Sequence, residues 1–228
     1  MATILSTLEL IRRVPLFSKL TSEQAEAVAT AVVKRRYKRG DEIVQQGKKS
    51  DALTIILTGR ARVITTDDRG REVILATLQP GAYVGEMSLI DDQPHSATVR
   101  ADLQTDVLIL GRQEFARCLP ENSSMAYAVM KGLVQRLRQA DRQIESLALM
   151  DVYGRVARAL LESATDADAD GNAVIRERVS RQDLAKMVGA SREMVSRVMK
   201  SLEERGFIES RPDGSLVVLA RDNQVLLG

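Results

Sequence analysis

Apolar positions change their spacing three times along this chain, and each spacing predicts a different kind of element. Residues 1–32 read as helical: "TSEQAEAVATAVV" opens with Thr21 or Ser22 as an N-cap and then runs rich in alanine. From residue 37 short apolar runs alternate with glycine turns: "GDEIVQQG", "ALTIILTG", "ARVITTDDRG", "REVILATLQPG", "SATVRAD", "DVLILG". Gly40, Gly47, Gly59, Gly70, Gly81 and Gly111 punctuate them. β-Branched runs of strand length at regular turn spacing predict an antiparallel barrel or sandwich. "DDRG" between two such runs predicts a hairpin loop.

Beyond residue 115 the period lengthens to that of a helix. "ENSSMAYAVMKGLVQRLRQADRQIESLALMD" predicts one long helix, placed at 116–150. Met130, Leu133, Leu137, Ala140, Ile144 and Leu147 recur at alternating intervals of three and four, a coiled-coil seam of about three heptads. A helix packed on its own domain shows a similar stripe. The flanking charges Arg136, Arg138, Asp141, Arg142 and Glu145 make the stripe narrow, which favours a partner helix in a two-fold dimer. "LMDVYG" marks the end of this helix, with Gly154 available to break it. "DADADGNA" (166–173) reads as an exposed loop inside the last domain.

The C-terminal segment "VSRQDLAKMVGASREMVSRVMKSLEERGFIESRPDGSLVVL" carries a helix, a glycine turn and a second helix. Ser180 caps the first, Gly189 fits the turn and Ser191 caps the second. This is the helix-turn-helix pattern. "GFIESRPDGSLVVL" adds two strands around "PDG", a wing. In the second helix Val195, Val198, Met199 and Leu202 fall at i, i+3, i+4, i+7 and belong inside. Arg192, Glu193, Ser196, Arg197 and Lys200 lie on the other face. Arginines such as Arg192 and Arg197 fit the O6 and N7 edge of guanine, and Glu193 accepts from the cytosine amino group. Ser180, Arg181, Gln182 and Ser191, near helix N-termini, suit phosphate.

Composition narrows the function classes. The net charge is only +2, so contact with nucleic acid must come from a local patch. Aromatics make up 3% of the chain, which argues against stacking platforms for single strands. One cysteine, Cys118, builds no internal disulfide, zinc finger or iron–sulfur cluster, and suits a reducing compartment with an inert thiol. No signal-peptide pattern and no run of ~20 apolar residues is present, so a cytoplasmic protein without a membrane span is expected. A single histidine, His95, with one distant cysteine makes a poor metal or haem site. No nucleophile elbow or other catalytic constellation appears, and no enzyme activity is expected.

These motifs, in this order, resemble the cyclic AMP receptor protein (CRP/FNR) superfamily of bacterial transcription regulators. "VGEMSLI" is similar to the family's pocket motif, and "SRQDLAKMVGASREMVSRVMKSLEERG" to its DNA-binding signature. The resemblance implies an α+β fold in three parts: a cyclic-nucleotide-binding-type β-roll with its N-terminal helix (1–115), a long dimerisation helix (116–150) and a winged helix-turn-helix (151–228). It also implies a homodimer on double-stranded DNA, in contact with RNA polymerase. Arg192, Glu193 and Arg197 match the family's base readers, which implies an inverted repeat similar to TGTGA-N6-TCACA.

In the family pocket a glycine–glutamate pair precedes an arginine–serine pair that grips the cyclic phosphate. Gly85, Glu86 and Ser96 match; His95 stands where the cyclic AMP binders have arginine. Histidine titrates near neutrality, so its grip on phosphate is weaker and pH-dependent. On the long helix Ala140 and Asp141 stand where those binders have a threonine–serine pair that touches adenine. Asp141 can accept from guanine N1–H and N2–H₂, and Arg138 can reach guanine O6 and N7. Cyclic di-GMP is therefore favoured over cyclic AMP or cyclic GMP as the effector, with Gly85, Glu86, His95, Ser96, Arg138 and Asp141 as its contacts. Two alternatives stay open: a ligand-independent regulator with an unused pocket, and a nucleotide-sensing module for protein interaction.

Overall fold

The computed structural model describes residues 7–219 except 19, 50, 122 and 170. Two compact units divide the chain, residues 1–137 and 138–228, and the division falls inside one long helix. Among the described residues no helix is long and apolar enough to cross a membrane, and no cluster of histidine, cysteine and carboxylates could hold a metal ion.

The first unit opens with α1 (Thr7–Arg13), a single 3-10 turn over Pro15–Phe17, and α2 (Ser22–Ala31). Thr21 caps α2 reciprocally: its hydroxyl accepts from the Gln24 N–H at 3.3 Å, and the Gln24 side chain accepts from the Thr21 N–H at 3.0 Å. Eight strands follow: β1 (Val33–Tyr37), β2 (Glu42–Val44), β3 (Ala52–Thr58), β4 (Ala61–Thr66), β5 (Glu72–Leu78), β6 (Tyr83–Val84), β7 (Thr98–Ala101) and β8 (Thr105–Gly111). They form two antiparallel four-stranded sheets, β1-β8-β3-β6 and β2-β7-β4-β5. The expected hairpin loop closes β4 on β5, where the Asp67 carboxylate accepts from the N–H groups of Arg69 (3.0 Å) and Arg71 (2.9 Å).

The apolar runs of β3 and β8 lack a polar face because both of their faces are covered. Leu53 and Ile55 pair across with Leu110 and Leu108. These four point into a core shared with Phe17 and Val28 of the N-terminal segment and with Phe115, Met125 and Val129 farther on. The intervening Ile56 and Val107 point the other way, into a core with Ala61, Leu78 and Val99 of the second sheet. Each such side chain, fully buried, contributes about 1.5–3 kcal/mol.

A short helix, α3 (Glu86–Asp91), lies between β6 and β7. Where one helix was expected from residue 116, there are two, α4 (Arg112–Glu121) and α5 (Ser123–Leu149). The side chain of Cys118 lies outside the described residues. On α5, Met130, Leu137, Ile144 and Leu147 are exposed, and Ala140 is exposed with them. Leu133 packs instead against the core of its own unit. Val134 (50% exposed) and Tyr127 (64%) extend the exposed stripe in its place.

In the second unit α6 (Val152–Ser163) follows directly. Gly154 does not break the chain. It is the third residue of α6, and the break is made by Asp151, whose carboxylate accepts from the Gly154 N–H at 2.8 Å as an N-cap. "DADADGNA" is not a plain loop. Asp166–Ala167 (β9) pairs with Ala173–Ile175 (β10), because Asp168 closes a tight turn by accepting from the Asn172 N–H at 2.9 Å. Then come α7 (Arg181–Val188), α8 (Arg192–Glu204), β11 (Ile208–Ser210) and β12 (Leu216–Val218), in a sheet ordered β11-β12-β10-β9. Val156, Leu160, Leu184, Val195, Met199, Leu202 and Val218 form the core.

Candidate nucleic-acid interface and effector pocket

Ser180 and Ser191 cap α7 and α8, accepting from the N–H groups of Asp183 (3.3 Å) and Met194 (3.1 Å). Between them Gly189 has φ of 64°, a left-handed conformation that other residues adopt at a cost, and it ends α7. Arg155 of α6 fixes that corner by donating to the Val188 and Met150 carbonyls, both at 3.0 Å. Val195, Val198, Met199 and Leu202 are buried as the helical spacing requires. Their burial turns Glu193, Arg197 and Lys200 outward, with Arg192 and Ser196 also exposed. The Ser196 hydroxyl is spent locally, donating to the Arg192 carbonyl at 2.9 Å.

A cleft of about 590 Å³ separates the start of α7 from the wing. Ser180, Arg181, Gln182 and Arg192 all line it; Glu193, Arg197 and Ser191 do not. Arg178 and, on the wing, Arg211 line it as well. Sequence reasoning missed these two, which lie 33 residues apart (211 − 178) and meet only when the wing folds back. Arg211 is held in place by Asp168 of the β9–β10 turn at 3.0 Å. The wing turn is set by Asp213, which accepts from the Ser215 hydroxyl (2.6 Å) and N–H (2.9 Å); these bonds keep its carboxyl below the usual range. Convergent arginines beside a helix N-terminus suit a backbone phosphate.

In the first unit Gly85 precedes α3 with φ of 97°, and Glu86 begins that helix. Glu86 is only 1% exposed. One of its oxygens accepts from the Arg136 guanidinium, which also donates to the Tyr83 carbonyl and lies 5.2 Å from the Tyr83 ring centre. The other, Oε2, is buried with no hydrogen-bond partner among the described residues. Burial pushes the Glu86 carboxyl up, and Arg136 opposes the shift. Tyr83 is likewise raised by burial. Arg136 entered the sequence reading only as a flanking charge. A signal was present in Gly132 four residues earlier: a Cβ there would sit 2.0 Å from the Tyr83 hydroxyl oxygen, so this glycine lets the ring reach the helix.

His95 is half-buried and Ser96 exposed. The His95 backbone is clamped to the neighbouring loop, its N–H donating to the Lys48 carbonyl and its carbonyl accepting from the Gly47 N–H, both at 2.9 Å. Its ring makes no hydrogen bond with a described residue, and burial lowers its pKa. A histidine here titrates, unlike the permanently charged arginine that it replaces. Arg138 and Asp141 are exposed on the part of α5 that belongs to the second unit.

Two sequence families match: Cyclic nucleotide-binding domain over residues 34–122, and Crp-like helix-turn-helix domain over 154–223. The chain is 36% identical to the cAMP-activated global transcriptional regulator Vfr of Pseudomonas aeruginosa, over 77% of this chain and 84% of Vfr. It is 32% identical to the Cyclic AMP receptor protein of Thermus thermophilus, over 87% of this chain and 89% of that one. The chain belongs to the CRP/FNR family of transcription regulators. It is a DNA-binding regulator with a cyclic-nucleotide-binding domain, not an enzyme. Its fold also matches the c-di-GMP responsive global regulator CLP of Xanthomonas campestris, with a TM-score of 0.75 and 27% identity over 87% of this chain and 99% of CLP.

If Arg192 reads a base edge and Arg211 holds a phosphate, substitution separates the two. Arg192→Ala should relax preference at one base pair per half-site and cost about 1–3 kcal/mol of discrimination. Arg211→Ala should weaken binding evenly across sequences and flatten the salt dependence by about one counterion per half-site. Competition binding at two salt concentrations separates the two outcomes.

Proposed function

We propose that this CRP-family regulator is a cytoplasmic homodimer whose β-roll binds a nucleotide second messenger. The messenger sets how well two helix-turn-helix units hold an inverted repeat similar to TGTGA-N6-TCACA in the presence of RNA polymerase. Arg192, Glu193 and Arg197 read bases. Ser180, Arg181, Gln182 and Ser191, with Arg178 and Arg211, hold phosphates. The observation that carries the sensing role is Glu86: a buried carboxylate whose Oε2 lacks a donor among the described residues. An unmet buried acceptor is costly, and a ribose hydroxyl is the donor that a nucleotide would bring. The exposed stripe Tyr127, Met130, Val134, Leu137 and Ile144 supports the dimer, because a second α5 would remove it from water.

Cyclic di-GMP is the preferred effector. His95 titrates and burial lowers its pKa, so the pocket lacks the permanent charge with which an arginine would grip a single cyclic phosphate. Arg138 and Asp141 together offer the donor and acceptor pattern of a guanine edge. CLP, similar in fold, is described as responsive to that dinucleotide. Cyclic AMP is the second reading, favoured by the cAMP-activated relative at 36% identity. Either ligand would act by binding one arrangement of the dimer better than the other.

Calorimetry with cyclic AMP, cyclic GMP and cyclic di-GMP tests this on the wild-type protein, Asp141→Ala and His95→Ala. Cyclic di-GMP is expected to bind, and Asp141→Ala to lose at least tenfold in affinity, because a hydrogen bond to a charged group contributes about 1.5–3 kcal/mol and about 1.4 kcal/mol is tenfold. Binding of cyclic AMP alone, unaffected by Asp141→Ala, would reverse the order of the two readings. No heat with any of the three would leave the pocket unused.

A further inference from the structure

We propose that Met194 reads the 5-methyl group of a thymine in the major groove. The inference rests on α8 acting as the recognition helix. The exposed residues of this helix are Arg192, Glu193, Met194, Ser196, Arg197, Lys200, Glu203 and Glu204. All but one are charged or hydroxyl-bearing. Met194 is the exception and is 36% exposed. It sits in the first turn, one residue from Glu193 and two from Arg192, the end of a recognition helix that contacts base edges.

Its position is fixed. The Met194 N–H is held by the Ser191 hydroxyl at 3.1 Å, and the next residue, Val195, is fully buried in the core of the unit. The thioether chain therefore leaves the helix from an anchored backbone, on the flank nearer Arg197 than Arg192 because positions three apart share a face. A methionine offers no strong donor or acceptor to a base edge. The one apolar group that a base presents in the major groove is the thymine methyl, and apolar side chains contact it there. The flexible thioether also adapts to its exact height.

The test uses the full-length dimer and an operator selected by the protein from random duplex DNA, with effector present if binding requires it. Each thymine of the operator is then replaced in turn by deoxyuridine, which removes only the methyl. The wild type should lose about fourfold at one thymine per half-site, the factor for returning one buried methyl to water. Met194→Ala should bind the deoxyuridine and thymine forms equally at that place, and Met194→Leu should keep the difference. A flat scan for the wild type, or the same loss in Met194→Ala, would overturn the proposal while leaving Arg192, Glu193 and Arg197 as base readers. Failure to select any sequence would overturn both.

Discussion

Substituting alanine for Gly132 is expected to destabilise the first unit by about 1–3 kcal/mol, the usual cost of forcing volume into a packed core. The sign is diagnostic. At an ordinary helix position glycine to alanine stabilises by roughly 1 kcal/mol, because alanine loses less freedom on folding. Here the new Cβ would lie 2.0 Å from the Tyr83 hydroxyl oxygen and 3.0 Å from the ring carbon that bears it. Tyr83 is buried and its hydroxyl donates to the Val129 carbonyl at 3.4 Å, so the ring has little room to retreat. Tyr83→Phe combined with Gly132→Ala should recover part of the loss, since one of the two clashing atoms is gone. Urea midpoints of the four proteins give the coupling. A stabilised Gly132→Ala would mean that the ring does not approach α5 in solution.

Removing the Arg136 side chain should cost roughly 1–3 kcal/mol at neutral pH. A fully buried pair loses about 3–5 kcal/mol when one partner is removed. Arg136 is 38% exposed, and solvent screening reduces the figure. Glu86, 1% exposed, would then be a buried carboxylate without its cation. Its folded pKa already stands above the unfolded value because of burial, and Arg136 holds it down. Loss of Arg136 raises it further. A raised folded pKa means that the folded state binds the proton more tightly. Stability is therefore full below the unfolded carboxyl range and falls as pH rises toward the folded pKa. The defect of Arg136→Ala should shrink on acidification from pH 7.5 toward 4.5, and Glu86→Gln in the same background should remove its pH dependence. A defect of equal size at both pH values would show that Arg136 contributes packing rather than charge.

The parts of the fold that the sequence made legible are those governed by local periodicity. The caps at Ser180 and Ser191, the left-handed Gly189 and the four inward residues of α8 follow from spacing alone, because a helix repeats every 3.6 residues whatever it packs against. The "DDRG" hairpin is local in the same way. What escaped depends on partners distant in the chain. Glu86 and Arg136 are 50 residues apart, and the one local hint, Gly132, points to Tyr83 only once the chain is folded. The spacing placed Leu133 on the stripe, but the core of the first unit takes its side chain. Arg178 and Arg211 converge only through the wing. "DADADGNA" misled because composition reports polarity, whereas one aspartate accepting from a neighbouring N–H was enough to turn the chain into a hairpin.

The double burial of β3 and β8 divides the β-roll into positions that can carry a probe and positions that cannot. Over residues 53–56 and 105–110 neither parity is exposed, so a dye, a spin label or an unnatural side chain at Leu53, Ile56, Val107 or Leu110 would enter one core or the other. β5 is different: Val73, Leu75 and Thr77 face outward while Ile74 and Leu78 face in. A reporter at Val73 or Thr77 would sit on the same unit as Glu86 without touching either core, and it would let occupancy of the sensing domain be followed in a molecule whose packing is unaltered.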